Sequence, residues 1–383
     1  MLSVDLVIPV YDGFEETRIC IESVLSSVDF SWVRLVLVND CSPNPEITEY
    51  LRALAADQAS IVLLENATNL GFVATANRGM SYDPERDILL LNSDVEVAGN
   101  WLERLREASQ KNDSVASITP YSNNATICSF PNFCADNRLL FGLTVGQLDT
   151  FFAENFGPQD VIEVPTGVGF CMYIPRDCLD DIGYFDLETF GKGYGEENDW
   201  CQRALRSGRK NFHLANCFVF HKGGVSFGAE NNPRIARAQE ILDAKYPHYH
   251  ADIQSFIAAD EGREWRMRAI IELFAQQTIP KVVLVTHKLG GGAQQHVDEI
   301  AATYDGQALF LQITPEVDGE SVTLRFFDQQ HKLKDSLYFH VDSQYERLTG
   351  LLVGLGVGRV HFHHTMGLHP RLWKLAEDLS CEY

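Results

Sequence analysis

The 383-residue sequence is short of positive charge: 31 Lys and Arg stand against 53 Asp and Glu, a formal net charge of −22. Non-specific nucleic-acid binding runs on phosphate neutralisation by basic side chains, so this deficit argues against nucleic acid as a partner. It argues equally against electrostatic docking on anionic lipid. No apolar run approaches the roughly 18 residues of a membrane span, so no transmembrane segment is expected. The opening Met1–Pro9 lacks a basic n-region and a cleavage site, and reads as a short strand rather than a signal peptide. Nine cysteines are present, but none forms a CxxC pair and the count is odd. A disulfide framework is therefore not indicated, and reduced thiols in a cytosolic protein fit better. Internal repeats and low-complexity tracts are also missing.

What remains is an ordinary globular composition, 45% apolar and 22% charged, long enough for about two to three domains. Residues 1–280 hold 22 basic and 40 acidic side chains, whereas residues 281–383 hold 9 and 13 yet carry eight of the twelve histidines. That shift places a boundary near residue 280.

Strand and helix signals alternate over the first 120 residues. Val4–Val10, Val33–Val38, Ile61–Leu64 and Ile88–Leu91 read as buried strands. Glu15–Ser26, Ile47–Ala56, Phe72–Met80 and Trp101–Ala108 show helical spacing. Such alternation predicts an α/β fold with a mostly parallel sheet, whose ligands sit beyond the carboxyl ends of the strands. Tyr11, Asp12, Asp40 and Asp94 all fall just past those ends. Residues 120–230 are less regular, and their glycine clusters at 165–169 and 191–195 read as loops around a site. Asn232–Tyr246 and Ala251–Gln276 read as a helical extension, and a new α/β pattern starts at residue 281.

The chemistry lies in a series of short motifs: Ile8-Pro9-Val10-Tyr11-Asp12, Val38-Asn39-Asp40-Cys41-Ser42, Asn69-Leu70-Gly71-Phe72, Leu91-Asn92-Ser93-Asp94, Gly195-Glu196-Glu197-Asn198-Asp199-Trp200, and His221 before Gly223-Gly224. In this order and spacing the segment from about residue 3 to residue 230 resembles an inverting family 2 glycosyltransferase with the A-type nucleotide-sugar-binding fold. The resemblance implies a UDP- or dTDP-sugar donor and a divalent metal, Mn²⁺ or Mg²⁺, that offsets charge on the departing diphosphate. Asp94 matches the last acid of the family's Asp-x-Asp motif, with Asn92 in place of the first. Glu96 would point to the same side of an extended segment. His221 matches the histidine that reaches the same metal. Asp40 is implied beside the nucleobase, where a carboxylate accepts the ring N–H of uracil or thymine. Pro9, Tyr11 and Asp12 line that pocket. Asn69 and Arg78 flank the Gly71 turn and are candidates for the diphosphate or base, as are Asn92 and Ser93. Thr166 and Gly167 correspond to small residues under the donor sugar.

An inverting transfer needs one carboxylate to take the acceptor proton. The family's pattern puts it at Glu197, with Glu196 and Asp199 as rivals; Asp199 also reads as a helix cap. Trp200 is a candidate to stack on an acceptor sugar, and equally a core residue. The resemblance further implies a glycan or lipid-linked oligosaccharide acceptor and a role in bacterial surface polysaccharide synthesis. It implies a cytoplasmic setting at the inner face of the membrane, with any peripheral attachment resting on regions outside this sequence. A non-catalytic glycan-binding or scaffold protein and a nucleotidyltransferase are the alternative readings.

A second constellation combines Val283–Thr286, Gly290-Gly291-Gly292, Val297–Ala301 and His361-Phe362-His363-His364. It resembles the opening of a B-type family 4 glycosyltransferase, a partial Rossmann-like domain, and implies a longer two-enzyme polypeptide. The expected organisation is a catalytic domain over 1–230, a helical extension over 231–280 and the partial domain over 281–383.

Overall fold

The computed structural model describes residues 3–223, 233–328 and 331–381. Gly224 of the glycine pair and Asn232, the expected helix start, lie outside the described residues. The chain divides into two compact units, one of residues 1–137 and 144–262, the other of residues 138–143 and 263–383.

The first unit runs β1 (Val4–Val10), α1 (Phe14–Ser27), β2 (Val33–Asn39), α2 (Pro45–Asp57), β3 (Ile61–Glu65), α3 (Phe72–Met80), β4 (Asp87–Leu91), β5 (Val95–Glu96), α4 (Trp101–Lys111) and β6 (Val115–Tyr121). It continues through α5 (Val145–Asn155), β7 (Val161–Val164), β8 (Cys171–Ile174), α6 (Arg176–Ile182), α7 (Leu187–Phe190), α8 (Glu196–Arg206), β9 (Lys210–Phe218), β10 (Phe220–His221), α9 (Pro233–Lys245) and α10 (Tyr249–Ala259). The main sheet has the order β3-β2-β1-β4-β8-β6-β9-β7. Strands β1 to β4 are parallel, and β8 and β7 run against their neighbours. This is the mostly parallel, helix-flanked α/β sheet expected from the sequence.

The reason lies in alternation. Along β1, Val4, Leu6, Ile8 and Val10 enter one apolar core with Leu35, Leu37, Leu89 and Leu91. Val7 points the other way, into a second core with Val36, Val38, Ile88 and Leu90. Both faces are covered, which is why these strands read as continuous apolar runs. Local signals agree: Asn44 accepts from the Glu46 N–H at 2.9 Å and Pro45 opens α2.

Between residues 120 and 230, where the sequence is less regular, the structure adds strands the sequence did not show. Strands β7, β8 and β9 fall there, too short or too mixed in composition to show a clear period. The single helix expected over Ala251–Gln276 is two, broken at Asp260, whose φ of 44° is left-handed.

The second unit runs α11 (Arg263–Gln276), β11 (Lys281–Val285), α12 (Gly292–Thr303), β12 (Leu309–Pro315), β13 (Ser321–Asp328), β14 (His331–His340), α13 (Val341–Gly354), β15 (Arg359–Phe362) and α14 (Leu375–Asp378). Its sheet has the order β14-β13-β12-β11-β15. Strands β12, β11 and β15 are parallel, and β13 and β14 add an antiparallel edge. Among the described residues no helix is long and apolar enough to cross a membrane.

At the amino end of β1, Asp5 is fully buried and held by Arg34 at 2.7 Å and Arg86 at 2.7 Å. Removing one side of a buried ion pair strands the other charges. Asp5→Ala is therefore expected to cost about 3–5 kcal/mol, read as a lowered urea midpoint.

Candidate functional site

The carboxyl ends of β1, β2 and β4 carry the predicted polar residues. Pro9, Tyr11, Asp40 and Asn69 line one cavity of about 290 Å³, together with Gly71, Thr75, Lys192 and Arg234. Asp40, 3% exposed, forms its structural centre. One carboxylate oxygen accepts from Asn66 Nδ2 at 2.7 Å and the Leu70 N–H at 2.8 Å, and the other from the Gly71 N–H at 2.8 Å. Two donors occupy the first oxygen, so the second is the one with acceptor capacity left. The turn that Asp40 holds requires glycine: φ at Gly71 is +88°, and an added Cβ would meet Lys192 Cβ at 2.6 Å. Lys192 in turn donates to Asn69 Oδ1 at 2.6 Å.

Two predicted residues do not line this cavity. Asp12 accepts from the Gly13 N–H at 2.8 Å and so shapes its own turn. Arg78 reaches inward to Asn66 Oδ1 at 2.5 Å, bracing the partner of Asp40. Lys192 was not singled out in sequence, although its glycine-rich neighbourhood marked a site loop.

Past β4, Asn92 donates its backbone N–H to Phe170 O at 2.9 Å, and Ser93 is buried. Strands β5 and β10 pair antiparallel, His221 opposite Val95, and this brings Asp94 and His221 together. His221 Nε2 lies 3.5 Å from Asp94 Oδ1, and the Gly223 N–H donates to Asp94 Oδ2 at 3.2 Å. His221 Nδ1 is 2.8 Å from Asn124 O. A carbonyl only accepts, so Nδ1 carries a proton, and the other ring nitrogen, Nε2, faces Asp94. Burial pulls the imidazole pKa down, but the Asp94 carboxylate and the Asn124 carbonyl outweigh it and leave it raised. With Nε2 deprotonated, the imidazole and the carboxylate side by side would fit a divalent cation with further positions open to a ligand and water. Glu96 does not complete a larger set, since no group of three or more suitable side chains occurs among the described residues.

The third group begins at α8. Glu196 is 3% exposed, and among the described residues its Oε2 has no hydrogen-bond partner. Burial first, then the charge of Glu197, raises its pKa well above the ordinary value. Glu197 is half-buried against Gly169, and burial raises its pKa too. Three side chains of α8 tether the loop before β8: Asn198 donates to Thr166 Oγ1 at 3.0 Å, Gln202 to Pro165 O at 2.8 Å, and the Gly167 N–H to Cys201 Sγ at 3.2 Å. Gly167 sits so tightly that a Cβ would meet Ser117 Oγ at 2.8 Å.

Asp199 and Trp200 are corrected. The helix starts at Glu196, so Asp199 lies in its first turn rather than at its cap. Its fully buried carboxylate is occupied by Lys245 Nζ at 2.6 Å, Tyr246 Oη at 2.7 Å and Arg203 Nε at 2.9 Å. An acid with three donors already on it is poorly placed to collect a proton. Trp200 is fully buried in the core beside Cys201 and Ala204, with Nε1 donating to Gly183 O at 2.8 Å, so no ring face is left for a sugar. Asp199→Ala leaves Arg203 without its counter-charge and Lys245 with Asp186 alone. It is expected to destabilise the protein by about 3–5 kcal/mol in urea unfolding.

The chain is 20% identical over 249 residues to the uncharacterized protein y4gI of Sinorhizobium fredii (strain NBRC 101917 / NGR234), covering 63% of this chain and 27% of that protein. It thus spans about a quarter of the length of that curated relative. Among solved structures it is similar to GalNAc-T7 with UDP, GalNAc and Mn²⁺ (TM-score 0.49, 16% identity, 73% of this chain and 59% of that one). It is also similar to S. aureus TarS 1–349 in complex with UDP-GlcNAc (TM-score 0.45, 12% identity, 72% of each chain). A third is the mannosyltransferase PcManGT from Pyrobaculum calidifontis in complex with GDP-Man and Mn²⁺ (TM-score 0.42, 12% identity, 72% of this chain and 81% of that one). Residues 5–182, just under half of the chain, match the model of the family described as glycosyl transferase family 2.

Proposed function

We propose that the first unit is an inverting glycosyltransferase that moves a sugar from a UDP- or dTDP-sugar to a hydroxyl of a glycan or lipid-linked oligosaccharide, in bacterial surface polysaccharide synthesis. The observation that carries this reading is the meeting of Asp94 and His221, 3.5 Å apart beyond the carboxyl end of β4. The similarity of residues 5–182 to glycosyl transferase family 2 supports it.

Tyr11, 37% exposed, offers a ring face to the nucleobase, and the less occupied oxygen of Asp40 accepts its ring N–H. Asn69 and Lys192 bound the same cavity on its polar side. Asn92 and Ser93 face the diphosphate, and Thr166 and Gly167 form the floor under the sugar. Asp94 and His221 would hold a divalent cation, Mn²⁺ or Mg²⁺, which when bound offsets negative charge on the diphosphate. Glu197 takes the proton of the acceptor hydroxyl. The freed oxygen bonds to the anomeric carbon as the bond from that carbon to the diphosphate oxygen breaks, and the nucleoside diphosphate leaves. One displacement inverts the anomeric centre. Glu196, its acidity suppressed by burial, stays beside the base without competing for the proton. In the second unit the parallel strands β12, β11 and β15 and the Gly290–Gly292 loop support its reading as the start of a B-type domain.

Glu197→Gln is expected to lower transfer by about 10²–10⁴-fold with nucleotide affinity by calorimetry unchanged. Retained transfer would move the base to Glu196. Because burial raises the Glu197 pKa, and a base must be ionised, kcat/KM is expected to fall on acidification at a pH above the ordinary carboxylate range. Asp94→Ala and treatment with excess chelator are each expected to abolish transfer. Wild-type turnover in chelator would defeat the metal assignment.

A further inference from the structure

Asp40 has a neighbour that no motif singled out. Strands β2 and β3 are parallel, with Asn39 opposite Glu65, so the next residue of each, Asp40 and Asn66, leaves the sheet beside the other. The Asn66 N–H donates to Asn39 O at 2.9 Å, and Asn66 is 7% exposed.

The Asn66 amide has one orientation. Arg78 Nη1 donates to Asn66 Oδ1 at 2.5 Å. A guanidinium only donates, so the atom facing it is the amide oxygen, and the amide nitrogen faces the other way. That nitrogen gives its two hydrogens to Asp40 Oδ1 at 2.7 Å and Thr75 Oγ1 at 3.1 Å. The Leu70 and Gly71 N–H groups add a donor to each Asp40 oxygen, both at 2.8 Å. Three donors suit a carboxylate that accepts, and the capacity left on Oδ2 is an acceptor's. Turned over, the amide would set its own oxygen against Asp40, two acceptors that only a proton between them reconciles.

We infer that Asn66, locked by Arg78, is a positioning residue that sets base selectivity. It holds Asp40 as an acceptor, which admits a pyrimidine whose N3 bears a hydrogen, uracil or thymine, and rejects cytosine, whose N3 is a bare acceptor. Asn66 and Arg78 act through Asp40, since neither lines the cavity. The inference rests on the transferase reading above and on its placement of the nucleobase.

The test is calorimetry of the full chain with UDP and with CDP, Mn²⁺ present. The two bases differ only at ring position 4 and in the N3 hydrogen. Wild type is expected to bind UDP at least about tenfold more tightly than CDP. Asn66→Asp puts a carboxylate oxygen where the amide nitrogen stood, and two carboxylates that close share a proton. The UDP-to-CDP affinity ratio is then expected to fall at least about fivefold. Arg78→Met removes the lock from an exposed position on α3 and is expected to lower the ratio about threefold or more. A purely structural role would weaken both nucleotides by one factor and leave the ratio alone. Melting temperatures show which variants are folded, and Arg78→Met carries the test by itself if Asn66→Asp is not. An unchanged ratio in either folded variant overturns the inference. So does a wild type that binds UDP and CDP equally, and both results leave the transferase reading standing. A wild-type chain that binds neither UDP nor dTDP overturns that reading, and this inference with it.

Discussion

The central strands of the first unit are covered on both faces, and the placement of its polar chemistry depends on that constraint. A strand whose even and odd positions both enter apolar cores has no face on which to display polar groups. Those groups are confined to the ends. At the amino end of β1, Asp5 is tied down by Arg34 and Arg86. At the carboxyl ends, Asp40 emerges after β2 and Asp94 after β4, and the late strand β10 brings His221 to Asp94.

Buried acids then divide by how far their charge is compensated. Asp5 and Asp199 each receive two cationic partners. Asp149 pairs with Arg104 at 2.5 Å in the core. These are satisfied groups whose role is to hold elements in place. Asp40 is intermediate, with three donors that shape a turn and one oxygen less occupied. Among the described residues no cation pairs with Glu196 or Glu197, and burial raises both. Uncompensated burial is the usual physical route to a carboxylate that takes protons near neutral pH.

Much of the fold was legible in the sequence. The apolar runs of β1 to β4 and the helical spacing between them are local patterns, set by residues a few positions apart. The strands β7, β8 and β9 were not legible, because each is short or mixed and is held in place by partners far away in sequence. In the candidate site, the turn at Gly71 and the positions of Asp40 and Asp94 just past β2 and β4 followed from the sequence. The inward turn of Arg78 to Asn66 did not.

By itself the sequence determined a two-faced α/β sheet, the glycine turns and the identity of the acids available for chemistry, because alternation, turn preference and residue type are local properties. The tertiary structure alone separated those acids. Asp199 is a structural hub because Lys245 and Tyr246, some 46 to 47 residues on, fold back onto it. Trp200 is a core residue because Gly183 O caps its indole N–H. Each outcome is a long-range contact between side chains, and neither spacing nor composition encodes which distant partner will arrive.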